Sequence, residues 1–372
     1  MSAVAGYTFV LDDPRDSCDE EIAEGVELSN ALRDEFYPEE PRSELATAIA
    51  SNRATPARYG TWRVRVRSAD GLLVAGTSCW KDWEHDTNPD VGRVGHSVRS
   101  GHRGKGIGTA LLAWEVAFAQ SLGQSRLLIH TDSRIPAGDE IAAALGAQIK
   151  AREHENRLLL ADVDVELLRG WANDDKSAEY ELLAIDSQIP DELAEDYVAL
   201  VLVMNTAPRD DLQVNDFTYS VAQLREGEAQ VEKVGAREWT LVVRHRESGD
   251  LVGVHTLYFA PDDRKKTYVG ITGVVPAHRG HGFGRLLKAT LTLRLLTEHP
   301  EVECVVTGNA DSNTHMLAIN EAMGYRPHAS NTTWEISRAQ LEQWLAARGV
   351  DIPTEQAAQA VMHQRAGKLV SS

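Results

Sequence analysis

The chain has 372 residues, 42% of them hydrophobic, and a formal charge of −18. That length and apolar content predict two globular domains, and the acidic balance argues against a nucleic-acid binder, which needs basic faces. No apolar run reaches membrane-spanning length, the first residues lack a basic-then-apolar leader, and Cys18, Cys79 and Cys304 stand in no metal spacing. The expectation is therefore a cytoplasmic protein with reduced thiols, no membrane partner and no metal.

In chain order, a strand is predicted at Tyr7–Leu11, helices near Glu21–Glu35 and Ser43–Ser51, and a hairpin of Thr61–Ser68 with Leu72–Trp80 around Ala69-Asp70-Gly71. The acidic, aromatic segment Trp80–Asp90 reads as a loop into a β-branched strand at Val91–Val98. Next come HRGKGIG at 102–108 and a helix whose apolar residues recur at Ile107, Leu111, Trp114 and Phe118. A strand at Arg126–His130, a helix at Ala137–Leu145, a strand pair ending near Asp162 and a short helix at Val165–Asp174 complete a first domain, residues 1–172. A charged linker is expected at Asn173–Ala178.

The second domain, 179–348, repeats the order. Helices are predicted at Glu192–Met204 and Ser220–Lys233, with a loop at 204–212 between them. A hairpin of Trp239–His245 and Leu251–Phe259 leads to a strand at Thr267–Val275. HRGHGFG at 278–284 then opens an amphipathic helix through Leu286, Leu287 and Leu291. A strand at Val302–Thr307, a helix at Thr314–Met323, strands near Tyr325–Ile336 and a helix at Arg338–Arg348 follow, with a tail of helical character at 349–372. The class is α+β: two domains, each a mixed, mostly antiparallel sheet flanked by helices.

The two glycine loops, 176 residues apart, share five of seven positions. Gly104, Gly106 and Gly108 in one, and Gly280, Gly282 and Gly284 in the other, allow backbone conformations and close approaches that a Cβ would block. Strand, glycine loop and helix together aim free N–H groups and the positive helix end at one point, an anion nest that Arg103 and Arg279 reinforce. GxxxxGK[ST] is absent, and GxGxxG fails because Thr109 and Arg285 follow a GxGxG spacing. His278 and His281 suit a pyrophosphate better than a metal.

The pattern [Q/R]-x-x-G-x-[G/A] after a strand resembles the acyl-CoA pyrophosphate loop of the GNAT N-acetyltransferase superfamily. It reads Arg103-Gly104-Lys105-Gly106-Ile107-Gly108, then Thr109, in copy one. In copy two it reads Arg279-Gly280-His281-Gly282-Phe283-Gly284, then Arg285. NADSNTHMLAINEAMGY at 309–325 is similar to the family's next strand–loop–helix, where Asn313 matches the asparagine that helps hold the pantetheine arm, and Asn309 is a further cofactor-binding candidate. The resemblance implies a tandem, acetyl-CoA as co-substrate, and direct transfer to a primary amine of a small-molecule or peptide acceptor. It also implies that a backbone N–H near Val98, or near Val274 and Val275, holds the thioester carbonyl.

The chain departs from that pattern where relatives often carry a tyrosine acid: Asn320 and Ala142 stand there. Copy one also lacks the asparagine, so copy two is expected to be the working site and copy one a degenerate one. The base stays open. His255, Tyr258 and Tyr268 are the candidates in copy two, with Glu84, His85 and His96 similarly placed in copy one. Asp210 and Asp211 border the expected acceptor pocket, and the C-terminal carboxylate after Leu369-Val370-Ser371-Ser372 is a further candidate. Two other readings stay open: an acyl-CoA-binding sensor without turnover, and acetylation of a mycothiol-type precursor. A monomer or a homodimer fits equally.

Overall fold

A computed structural model describes residues 4–173, 178–186 and 188–371, with side chains as far as Arg365. The expected linker lies largely outside the described residues, as does the C-terminal carboxylate. The chain divides into two compact units: residues 1–151 with 331–372, and residues 152–330. These are not the contiguous stretches 1–172 and 179–348 read from the sequence.

The first unit opens with β1 (Tyr7–Asp12), α1 (Asp19–Phe36), α2 (Leu45–Arg53), β2 (Tyr59–Ser68) and β3 (Leu73–Asp82). The strand expected at 91–98 is broken at Gly95 into β4 (Val91–Val94) and β5 (His96–Val98). Then come α3 (Ile107–Ser121), β6 (Arg126–Asp132), α4 (Pro136–Leu145) and the start of β7 (Gln148–Leu159). β1, β2, β3 and β5 pair antiparallel in that order, while β4 runs parallel to β6.

β2 shows why the layers form. Trp62, Val64 and Val66 are buried on one face, and the alternate Arg63, Arg65 and Arg67 meet Asp12, Glu21 and Glu24 on the other. α3 is apolar almost all round and is buried accordingly, between this sheet and a second cluster around Leu127.

The second unit takes the rest of β7, then α5 (Val165–Ala172), β8 (Tyr180–Ile185), α6 (Ala194–Val201) and α7 (Val221–Lys233). β9 (Arg237–His245), β10 (Leu251–Phe259) and β11 (Lys266–Val274) lead to α8 (Phe283–Glu298), β12 (Cys304–Ala310), α9 (Thr314–Met323) and β13 (Arg326–Ser337). Its strand order is β8-β9-β10-β11-β12-β7, antiparallel except that β11 and β12 run parallel. β8 escaped the sequence reading, which began this domain at the following helix. Trp239, Leu241, Val243 and Leu257 face α8 and α5, whereas Val242 and Val254 face α6 and α7.

The units differ from the sequence halves because strands are exchanged. β7 pairs along β12 from Glu153 to Leu159, inside the second unit. β13 pairs along β6 from Asn331 to Ser337, inside the first. The chain after β13 stays there as α10 (Arg338–Ala346) and α11 (Thr354–Ser371), which supply Leu341, Leu345, Ala357 and Val361 to its cores. The expected tail is thus mostly a docked helix. Gln364 accepts from the Thr61 N–H at 2.9 Å and donates to Asp13 at 2.9 Å.

A fragment 1–172 therefore lacks the antiparallel partner of β6 and four core side chains. It is expected to show no cooperative thermal unfolding by circular dichroism, whereas co-expressed fragments 1–172 and 179–372 should assemble and melt cooperatively. A cooperative melt of 1–172 alone would reject the exchange.

Candidate active site

In both glycine loops the second and fourth residues after the histidine take left-handed φ: +72° and +85° at Gly104 and Gly106, +81° and +79° at Gly280 and Gly282. Gly104, Gly106 and Gly280 have open space where a Cβ would stand, so the dihedral and not crowding calls for glycine there. Gly106 and Gly282 are the N-caps of α3 and α8 and bring no side-chain acceptor, which leaves the first-turn N–H groups available to a ligand. Each loop is pinned by a tyrosine from the first strand of its unit. Tyr7 Oη lies 2.9 Å from His102 Nδ1, and Tyr180 Oη lies 3.1 Å from His278 Nδ1. His278 is thereby a fixed anchor, and His281 turns its Nδ1 to the His278 carbonyl at 3.1 Å.

The loops differ in what meets the arginine. Arg103 donates to both oxygens of Glu35, at 2.6 and 2.8 Å, and lies over the Phe36 ring. Arg279 donates to the Val274 carbonyl at 3.0 Å and to Thr206 Oγ1 at 2.6 Å, and pairs with no carboxylate among the described residues. Arg285, over the Trp171 ring at 5.6 Å, is equally without an acid. Lys105 turns back to the Gly101 carbonyl at 3.0 Å.

A cleft of about 920 Å³ opens at the second loop. Its walls are Thr272–Val274 of β11, residues 279–285, the start of α9 from Ser312 to Met316, and Val203–Pro208 after α6. It exists because β11 and β12 part: their pairing covers only Lys266–Tyr268 against Cys304–Val306. β11 is bent there by a bulge between its pairs with Leu257 and His255. The Thr256 hydroxyl accepts the Ile271 N–H at 3.0 Å and fills the space a Cβ at Gly270 would need.

Past the bulge, Val275 N–H bonds the Val252 carbonyl at 2.9 Å. By antiparallel alternation, Val274 and Thr272 turn their backbone groups away from β10 and into the cleft. Of the two positions expected to hold a carbonyl, Val274 faces the cleft and the N–H of Val275 is spent in the sheet.

Asn313 lines the cleft as the N-cap of α9, accepting the Met316 N–H at 3.4 Å. Asn309 does not line it; its Oδ1 accepts from Asn320 Nδ2 at 2.6 Å. Asn320 is thus a buried tie in the place expected of an acid. Asp210, held at φ +49°, bonds Ser312 and the Arg152 N–H, and fastens the 206–208 wall beside the start of α9.

The three candidate bases are separated by the pleat. His255 faces α8 with Leu241 and Leu257, while Tyr258 and Tyr268, opposite one another, share the other face. His255 is 2% exposed and reaches the cleft only through Thr272, whose Oγ1 lies 2.8 Å from its Nδ1. Burial first, and the Lys288 charge second, hold its pKa well below the ordinary value, so it is neutral. Tyr268 donates to Asp263 at 3.2 Å.

In the first unit the directly opposed pair is Thr77 and His96, and both reach the buried Glu115. Burial opposes charge on His96, but the Glu115 charge and hydrogen bond outweigh it and raise the pKa. Glu84 and His85 sit in a turn whose N–H groups bond Asp82.

Two features escaped the sequence reading. Trp171 lines the cleft; Lys288 on α8 is 1% exposed, and its Nζ has no hydrogen-bond partner among the described residues. No sequence signal separates either from an ordinary helical residue.

The same strand, glycine-loop and helix plan stands in both units. The Acetyltransferase (GNAT) family profile matches residues 26–137 and again 209–325, and the chain belongs to that family. Among solved structures, a tandem GNAT protein from the clavulanic acid biosynthesis pathway, solved without AcCoA, aligns over 89% of this chain and 98% of its own, with a TM-score of 0.73 and 25% identity. A GCN5-related N-acetyltransferase from Sphaerobacter thermophilus shares the fold at TM-score 0.62 and 14% identity, over 89% of this chain and 96% of that one. A glucosamine N-acetyltransferase region of a fungal multi-domain GH3 β-N-acetylglucosaminidase does so at 0.61 and 14%, over 90% and 39%. Among curated proteins, none matches the sequence. No helix among the described residues is long and apolar enough to cross a membrane.

Burial pushes the Lys288 amine down to about 7, so the folded state takes up this proton less readily than the unfolded chain does. The penalty is full below that value and fades as pH rises toward the ordinary lysine range. Lys288→Met is expected to stabilise the protein by on the order of 2 kcal/mol at pH 7. The advantage should shrink between pH 7 and 10 in urea melts; a gap independent of pH would show that Lys288 is not the titrating group.

Proposed function

We propose that the second unit binds acetyl-CoA and transfers the acetyl group directly to a primary amine. The observation that carries this is the charge pattern of the cleft. In a chain of net charge −18, Arg279 and Arg285 stand without acidic partners beside an uncapped helix N-terminus. Pyrophosphate oxygens would accept from the N–H groups of the loop and the first turn of α8, with Arg279 alongside. Trp171 and Arg285 offer a flat surface for the nucleobase. The pantetheine arm would lie along the free edge of β11, where Val274 and Thr272 offer backbone groups as a neighbouring strand would.

The acetyl carbonyl would then reach the Thr272 N–H, which stabilises the oxyanion as the amine lone pair attacks the carbonyl carbon. The C–N bond forms, the C–S bond breaks, and the electron pair leaves on sulfur as a thiolate. The nitrogen passes its surplus proton to solvent; no carboxylate or tyrosine among the described residues lines the cleft. A thiolate leaves without protonation far more readily than an alkoxide.

The first unit is read as degenerate because Glu35 already satisfies Arg103 and places a carboxylate where a pyrophosphate would sit. That no carboxylate or tyrosine among the described residues lines the cleft also favours a second reading, an acyl-CoA-binding sensor without turnover.

Calorimetric titration with acetyl-CoA is expected to give one site per chain. Two sites would overturn the reading of the first unit, and none at millimolar ligand would overturn the proposal. Gly282→Glu, which sets a carboxylate in the nest, and Arg279→Ala should weaken binding at least 100-fold and about 10-fold respectively. Thiol release across a panel of amines separates the enzyme from the sensor: tight binding with persistent silence would favour the sensor.

A further inference from the structure

We propose that the acceptor carries a second positive charge, held by Glu238 among Tyr197, Tyr219 and Tyr258 on the α6/α7 face of the second unit. The inference rests on the acetyl-transfer reading above and adds the class of acceptor: a diamine or polyamine.

The argument begins with register. Glu238 on β9 lies directly opposite Tyr258 on β10, and Tyr258 directly opposite Tyr268 on β11. Residues so paired share a face with their Cβ atoms about 5 Å apart, so a carboxylate and two phenols stand in one row across three strands. α6 brings Tyr197 over this row and Tyr219 precedes α7. Thr240 lies two residues from Glu238 on the same face of β9. Glu238, Tyr219, Tyr258 and Tyr268 are half-buried, so the row is open to a ligand from solvent.

The groups there are left wanting a cation. Glu238 has no ion-pair partner among the described residues, and the hydroxyls of Tyr219 and Tyr258 have no hydrogen-bond partner among them. Glu228 behind the row is already committed, to the Ile189 N–H and to Arg225, both at 2.7 Å. Burial first, with Glu228 adding to it, raises the Glu238 pKa; burial first also raises those of the three tyrosines, with Glu238 adding to each and Asp262 to Tyr258. The charge contributions that add to burial are all of one sign, and a bound cation would relieve them. Phenol faces around a carboxylate are a chemistry suited to an ammonium ion.

The charge recognised here is not that of the reacting nitrogen. That nitrogen must be neutral when it attacks, and it must attack beside Thr272. Thr272 lies four residues along β11 from Tyr268, on the order of 10 Å once the bulge is allowed for. One molecule that meets both places therefore carries a neutralisable amine at one end and a retained ammonium at the other. The negative field of the whole chain adds steering for such an acceptor.

The test uses the full chain and spermidine as probe, with propylamine as the single-charge control, titrated by calorimetry with and without saturating CoA. Spermidine is expected to bind the wild type at least 10-fold more tightly than propylamine. Glu238→Gln should weaken spermidine at least 10-fold and Tyr258→Leu several-fold, with propylamine and acetyl-CoA affinities unchanged. Spermidine that binds Glu238→Gln as tightly as the wild type, or that does not bind the wild type, would overturn the proposal. Loss of acetyl-CoA binding in the wild type would instead strike the acetyl-transfer reading, so the two failures are separate. A folding defect in Glu238→Gln, seen as a lowered melting temperature, leaves the Tyr258→Leu titration to decide.

Discussion

The second unit depends on one backbone irregularity in the middle of its sheet. Two residues of β11, Gly270 and Ile271, face the single Thr256, whose hydroxyl takes the Ile271 N–H while glycine makes room for it. A regular β11 would keep pairing with β12 and leave no cleft. Bent as it is, the strand turns an edge of backbone donors and acceptors outward at Thr272 and Val274, and delivers the chain to the glycine loop at the angle α8 requires. Cleft, anion nest and open strand edge therefore follow from one extra residue. Thr256 and Gly270 belong to the site although neither would touch a ligand.

Electrostatics then separates two units that share this plan. Both loops adopt the same left-handed glycines and the same tyrosine anchor, so the backbone alone would make both competent. What differs is the residue that α1, or the turn after α6, delivers to the loop arginine. Glu35 answers Arg103 with a full charge, and Thr206 answers Arg279 with a dipole. A half-exposed ion pair contributes little stability. Its effect on a polyanion is larger, because the guanidinium is engaged and a carboxylate stands in the same space.

Much of this was legible in the sequence, for physical reasons that also mark the limits. The repeated loop was visible because left-handed φ and a free helix end demand glycines at fixed spacing, which chance seldom writes twice. Hairpins and helices followed from turn residues and apolar period. The exchange of β7 and β13 was not legible: a strand has the same pattern whichever sheet completes it, and pairing partner is a tertiary choice. For the same reason His255, Tyr258 and Tyr268 looked like one group until the pleat set them on opposite faces. Asn313 was found through its place at a helix start. Asn309 and Asn320 proved to bond each other, a contact across eleven residues that no local pattern encodes. Lys288 reads as an ordinary helical lysine, and only packing reveals that it lies buried without a hydrogen-bond partner among the described residues.

The two units also break the same strand by different chemistry, and the difference bears on which cleft is free to act. In the first unit the interruption at Gly95 is held by a charge: Glu115, wholly buried, takes the Gly95 N–H at 3.1 Å, the Thr77 hydroxyl at 2.6 Å and the His96 ring at 3.2 Å. A buried carboxylate is stable only while those donors stay in place, so Thr77 and His96 are bound to a structural task. In the second unit the neutral hydroxyl of Thr256 holds the bulge, and the corresponding cross-strand pair, His255 and Thr272, is released from it. Thr272 can then present its N–H and hydroxyl to a ligand, backed by an imidazole that burial keeps uncharged. A protonated histidine directly behind the oxyanion position would compete for the cleft's own dipoles and draw counter-charge into it. Moving the structural load from a carboxylate to a hydroxyl keeps that wall neutral, and leaves the positive charge where the pyrophosphate would lie.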